Sequence, residues 1–190
     1  MNFMNPLVWV FAVLLIVLAL AIFLYNRFIH LDNMVQEAWS DVNVQLKRRY
    51  SLIPNLITVV QGYMKYESKT LREIVSMRNA AIHQRTPAQK EDSENEIIKN
   101  LKHLFVVAEQ YPTLKSNEQF KELSNNLVDI EDALQIARRY YNATVRDYNT
   151  AIHSFPGNLV ARCVGLKDKN YFEIADFETK NIKVRIRHAK

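Results

Sequence analysis

Residues 6–25 form an apolar run without a charged side chain, close to the ~20 residues that a helix needs to cross a hydrocarbon core. Trp9 near one end and Tyr25 at the other are side chains that favour the two membrane–water interfaces, and Asn26 and Arg27 close the segment. A cleaved signal peptide is the competing reading. The residues before Pro6 contain no Lys or Arg, however, and no small-x-small cleavage site follows the run. The pattern therefore predicts an uncleaved membrane anchor.

Beyond the anchor the apolar positions become periodic. Leu31, Val35, Ala38, Val42, Leu46 and Ile53 mark one face of a helix, with a single long step across Arg49, and no breaker separates this helix from the anchor. One rod is expected to begin in the bilayer and continue into water until Pro54, where the missing backbone donor predicts a reversal or a kink. A second helix fits residues 55–83, with Leu56, Val60, Tyr63, Leu71, Ile74 and Ala81 inward. Residues 84–95 are polar and include Thr86-Pro87 and the acids Glu91, Asp92 and Glu94, which suits a loop running into a helix start. Ile97, Leu101, Leu104, Ala108 and Tyr111 outline a third helix ending at Pro112. Ser116 with Gln119 has the form of a capping box, opening a fourth helix marked by Phe120, Leu123, Leu127, Ile130, Leu134, Ala137, Tyr141, Val145, Tyr148 and Ile152.

The predicted fold is all-α: a transmembrane helix continuing into an antiparallel four-helix bundle, with a short C-terminal tail of possible β character. The expected division is an N-terminal segment and anchor over residues 1–26, the bundle over 27–156 and a basic tail over 157–190. In an up-down-up-down arrangement the fourth helix returns toward the bilayer, so residues 158–166 either lie in the membrane interface or cap the bundle. Ile182, Val184 and Ile186 alternate with Lys183, Arg185 and Arg187, as in a strand with one apolar face.

Composition agrees with a helical chain, having only three glycines and five prolines in 190 residues. The single cysteine, Cys163, excludes a disulfide within the chain and a zinc site built on several thiolates. The net charge of +5 is concentrated: Lys180, Lys183, Arg185, Arg187 and Lys190 all follow Glu178, the last acid. A general nucleic-acid surface is therefore not expected. Arg162 and these five tail residues are candidates for contact with anionic lipid or a second copy. Basic residues flank only the C-terminal side of the anchor, beginning with Arg27 and continuing to Lys47, Arg48 and Arg49, which predicts a bundle facing the cytosol.

Catalytic signatures are missing from the sequence. A di-metal bundle needs Glu-x-x-His pairs, but Arg27, Ala80, Asn100, Thr150 and Arg185 stand three residues before the five histidines. There is no His-Glu-x-x-His, no phosphate-cradling glycine loop and no Gly-x-Ser-x-Gly elbow. The expectation is a protein that is not an enzyme and carries no cofactor or metal. Glu67, Arg78, Arg49 and Glu131 with Arg138 fall on or beside the predicted seam. Ionised groups there must pair, and such pairs more often fix register than perform catalysis.

The stretch AWSDVNVQLKRRYSLIPNLITVVQGY, with VVAEQYPTLKSN, ARRYYNATVRDYN and FPGNLVA, resembles the LemA family of bacterial proteins, in the family's order from Tyr25 to Phe172. The resemblance implies a short anchor in the bacterial inner membrane and an antiparallel helical bundle, with no agreed catalytic residues. It also implies a part in envelope biology, one member acting in magnetosome formation, and association with membrane proteases. The tail after Phe177 is expected to exceed the typical family ending. Three functions are expected: a scaffold or adaptor working by self-association or partner recruitment, a regulatory subunit of a membrane protease, and a membrane-shaping protein using its basic tail on anionic lipid. Lys47, Arg48, Arg49, Tyr50, Pro54 and Asn55 are the expected partner contact. The expected partners are the lipid bilayer, a homo-oligomeric copy and a membrane protein.

Overall fold

The computed structural model describes residues 6–64 and 67–174. Those residues form helices joined by short connections and contain no strand. The order is α1 (Pro6–Gln61), α2 (Ser68–His83), α3 (Pro87–Ala108), α4 (Pro112–Ser116), α5 (Glu118–His153) and α6 (Gly157–Val164). The alternating stretch at residues 182–186 lies outside the described residues.

The first part of α1 is the one segment, among the described residues, long and apolar enough to cross a membrane. Its side chains Phe11, Leu14, Ile16 and Phe23 are exposed, as lipid-facing residues are. The helix then runs through Pro54, which corrects the expected reversal there. Proline cannot donate to the Tyr50 carbonyl four residues earlier, which leaves that acceptor open to another donor. Arg78 supplies it, its Nε donating to the Tyr50 carbonyl at 3.1 Å.

Two compact units share the chain. One holds the described residues of Met1–Leu46 and Ile136–Phe172; the other holds those of Lys47–Gln135 and Glu173–Lys190. Both long helices, α1 and α5, contribute residues to each unit. In the unit containing Leu46, the core joins Phe28, Val35, Ala38 and Val42 of α1 to Tyr141, Val145, Tyr148 and Ile152 of α5. In the unit containing Lys47, it joins Ile53, Leu56 and Val60 of α1 to Leu71 and Ile74 of α2, Ile97, Leu101 and Leu104 of α3, and Leu127, Ile130 and Leu134 of α5.

Three local readings change. α3 begins at Pro87, inside the expected loop, because Thr86 and Gln89 form a capping box with proline at the first helical position. The α5 cap is Asn117 rather than Ser116: Asn117 Oδ1 accepts from the Phe120 N–H at 2.9 Å. Ser116 ends α4, its hydroxyl donating to the Thr113 carbonyl at 3.0 Å. Tyr63 faces outward, and Asn117 donates to its hydroxyl at 3.1 Å.

Candidate functional site

The unit containing Lys47 is organised around an ion cluster with no solvent contact at its centre. Arg49 and Glu94 are both 0% exposed, and Arg49 Nη1 donates to Glu94 Oε2 at 2.5 Å. Arg49 Nη2 also meets Glu131 Oε1 on α5, so one guanidinium joins three helices. Tyr50 donates its hydroxyl to the second oxygen of Glu94. One turn before Glu94, Lys90 is buried on the same side of α3, donating to the Ala81 carbonyl at 3.2 Å with its ammonium 5.4 Å from the Tyr50 ring centre.

Burial shifts two groups beside these ions. It pushes the Tyr50 phenol far above its usual range, and the Glu94 charge and hydrogen bond push the same way against Arg49. Burial also holds the Lys90 ammonium below the usual lysine value, Glu94 opposing and Lys47 adding to the effect. The Glu94 carboxylate, accepting from Arg49 on one oxygen and Tyr50 on the other, ties α3 to α1. The cluster is built to lock three helices together.

The unit containing Leu46 carries a different device. Tyr141-Asn142 and Tyr148-Asn149 repeat at a seven-residue interval, two turns of α5. Each asparagine grips one residue of the extended segment after α6 by both its backbone groups. Asn142 accepts from the Phe172 N–H at 2.9 Å and donates to the Phe172 carbonyl at 3.1 Å. Asn149 does the same with Lys169, at 2.9 and 3.0 Å. The Tyr141 hydroxyl donates to the Asn170 carbonyl at 2.8 Å, while burial pushes its pKa up to about 12. Trp39 closes the clamp, its ring centre 5.2 Å from those of Tyr141 and Phe172. Lys169 is further fixed to Asp32 at 2.6 Å.

The clamp holds down the chain leaving α6. Gly157 opens that helix against Phe28: an added Cβ would lie 2.6 Å from the Ala151 carbonyl oxygen and 3.1 Å from Phe28. Gly165 ends it in the left-handed conformation at φ 74°, where the Gly165 and Leu166 amides bond the Arg162 and Ala161 carbonyls. Between α6 and the end of the apolar segment of α1 lies an open cavity of about 430 Å³, lined by Ala21, Ile22, Tyr25, Leu159, Val160, Cys163 and Val164.

The residues expected to form a partner contact are separated by this geometry. Arg49 and Tyr50 are buried in the ion cluster, whereas Lys47, Arg48, Pro54 and Asn55 are exposed. Of the expected lipid or self contacts, Arg162 is exposed on α6; Lys180, Lys183, Arg185, Arg187 and Lys190 lie outside the described residues. Arg49 and Glu131 do pair, and Arg78 serves the Tyr50 carbonyl. Glu94 was not singled out by sequence because it sits in an acidic run; the Thr86 and Gln89 capping pattern is the signal that places it on a helix. Among the described residues, no group of three or more His, Cys, Asp or Glu side chains could hold a metal ion.

The model of the LemA family matches residues 38–186. The chain belongs to the LemA family. Because the match continues to residue 186, most of the tail after Phe177 falls within the family's length, which corrects the expectation that it lies beyond. A LemA protein of Metamycoplasma hominis is 26% identical over 178 residues, covering 88% of this chain and 80% of that protein. The magnetosome protein MamQ 2 of Paramagnetospirillum magneticum is 25% identical, and MamQ of Magnetospirillum gryphiswaldense 24%, each covering 78% of this chain. This LemA-family chain spans 64% of the length of either magnetosome protein. The motifs that mark the resemblance hold the devices described above: LKRRY contains Arg49 and Tyr50, LIPNL contains Pro54, and ARRYYNATVRDYN contains both Tyr-Asn pairs.

Proposed function

We propose that this LemA-family protein is a noncatalytic scaffold or adaptor of the bacterial inner membrane, acting by self-association or by recruiting a partner. The observation that supports this most is α1 itself. One unbroken helix carries an exposed apolar segment of membrane-crossing length and also Arg49, the centre of a three-helix ion cluster. Such a helix carries the chain from a bilayer directly into its helical part. Ile136 and Tyr140, one turn apart on α5 and 68% and 48% exposed, give the unit containing Leu46 an apolar contact suited to another copy. Exposed Lys47, Arg48, Pro54 and Asn55 provide a polar contact for a second protein. That relatives are magnetosome proteins fits a part in building a cellular structure.

In this reading residues 1–26 hold the anchor, residues 27–156 form an antiparallel four-helix bundle on the cytosolic side, and residues 157–190 form a tail. Arg27, Lys47 and Arg48 on the C-terminal flank support that orientation. The test is the mass of the full-length protein in lipid nanodiscs, with cross-linking in native membranes. An oligomer, reduced in mass by joint Ile136→Glu and Tyr140→Glu substitution, or a stoichiometric membrane partner is expected. Strictly monomeric protein that captures no partner overturns the proposal, and capture of a membrane protease would favour the regulatory-subunit reading.

A further inference from the structure

The apolar face of α6 is open on the side where water would be least welcome. Gly157 and Ala161, the buried positions of the helix, pack inward, and Asn158 and Arg162 occupy a polar flank. Leu159, Cys163 and Val164 are exposed, and Phe155 just before the helix is 81% exposed. A surface helix ordinarily turns such residues toward a core. Here the chain is pinned on both sides of α6, by the close packing of Gly157 on Phe28 and by the asparagine clamp on Lys169 and Phe172, with the apolar residues left outward.

The opposite wall of the cavity identifies the covering medium. Ala21, Ile22 and Tyr25 close the uncharged stretch of α1, immediately before Asn26 and Arg27. If that stretch crosses a bilayer, these residues lie where the hydrocarbon meets the headgroups. Leu159, Val160, Cys163 and Val164 line the same cavity and therefore lie at the same depth. Water in the cavity would find almost no polar partner on its walls, whereas an acyl chain would find apolar contact on two sides.

We propose that α6 is an interfacial helix embedded beside the C-terminal end of the span, and that an acyl chain of the surrounding phospholipid occupies the groove between α6 and Ala21, Ile22 and Tyr25. Phe155, Leu159 and Val164 insert into the hydrocarbon boundary, and Arg162 stays at headgroup level. The membrane is thus gripped at two places, a span and a surface helix. This fixes how α1 is rotated about its axis as well as where it crosses. The proposal rests on α1 spanning the bilayer and is independent of whether the protein is a scaffold.

Cys163 is the chain's single thiol, so the native full-length protein accepts a nitroxide label there without substitution. In phosphatidylcholine and phosphatidylglycerol vesicles, dissolved oxygen should relax this label several-fold more effectively than a water-soluble nickel chelate. The preference should reverse for a label at Arg162→Cys in a Cys163→Ser chain. A label at Leu159→Cys in the same background should match Cys163, which guards against a label that itself fills the groove. A third label, at Leu14→Cys, reports the span separately. Chelate access at 163 and 159 equal to that at 162, with 14 still protected, overturns the interfacial helix and leaves the anchor standing. Access at all four sites overturns both. Spin–spin broadening at 163 that persists on dilution with lipid would place a second copy on this face and also overturn the proposal.

Discussion

Arg49, Glu94 and Glu131 show how much depends on charge partners that are distant in the chain. Arg49 and Glu94 have lost their hydration and compensate each other, so removing one leaves an uncompensated buried charge. Glu94→Ala is expected to destabilise the full-length protein by about 3–5 kcal/mol in denaturant titrations followed by helical circular dichroism. The joint replacement Arg49→Met, Glu94→Leu and Glu131→Leu should cost less than that single change, because the arginine and both of its carboxylate partners leave together. Protonation gives a second test. The folded state keeps Tyr50 and Tyr141 neutral beyond the pH at which a free phenol ionises, so their contribution is complete below about pH 10 and is lost as pH rises further. Lys90 has the opposite sign: its folded value is lowered, so its burial opposes folding at neutral pH and the penalty fades as pH climbs toward 10.5. Lys90→Met should flatten the rise in stability with pH on the approach to 10.5, and Tyr141→Phe should reduce the fall above 10. Of these residues, Arg49 and Glu131 were legible as seam charges. Glu94 and Lys90 were hidden in a polar run, because composition there mimics a loop while the capping box makes it helix.

Among the elements, α1 is continuous through Pro54, where a side chain replaces the hydrogen bond that proline removes. Arg78→Met should therefore cost about 1–3 kcal/mol by stranding the Tyr50 carbonyl. In a Pro54→Ala background the cost should shrink, since the alanine restores a backbone N–H that can donate to that carbonyl; the difference is read as the coupling term of a double-mutant cycle. An absence of coupling would show that the Arg78 bond is not the compensating one. The extended segment after α6 gives another prediction. Asn142→Ala and Asn149→Ala each remove a donor and an acceptor, so amide exchange at Phe172 and Lys169 respectively should accelerate while the exchange of α3 amides stays unchanged. Asn142→Asp keeps the acceptor but not the donor and should fall between wild type and Asn142→Ala. The helices themselves were legible from apolar spacing. Their ends were less so, because Pro54, Ser116 and Thr86 each have two local meanings that only their hydrogen-bond partners distinguish.

For the whole molecule, the apolar segment, the helical composition and the concentration of excess charge after Glu178 were determined by the sequence alone. They follow from local physics: the length of an uncharged run against the thickness of a bilayer, and the period at which apolar side chains recur. The joining of residues far apart in the chain was decided only by tertiary structure. Arg49 and Glu94 are 45 positions apart, Tyr50 and Arg78 are 28, and Asn142 and Phe172 are 30. No local pattern specifies such pairs, because each bond gains its value from the burial that the rest of the fold provides. The same holds for α6. Its amphipathic sequence fits a bundle cap and a membrane surface equally well, and only the fold sets Leu159, Cys163 and Val164 beside Ala21, Ile22 and Tyr25 of the apolar segment.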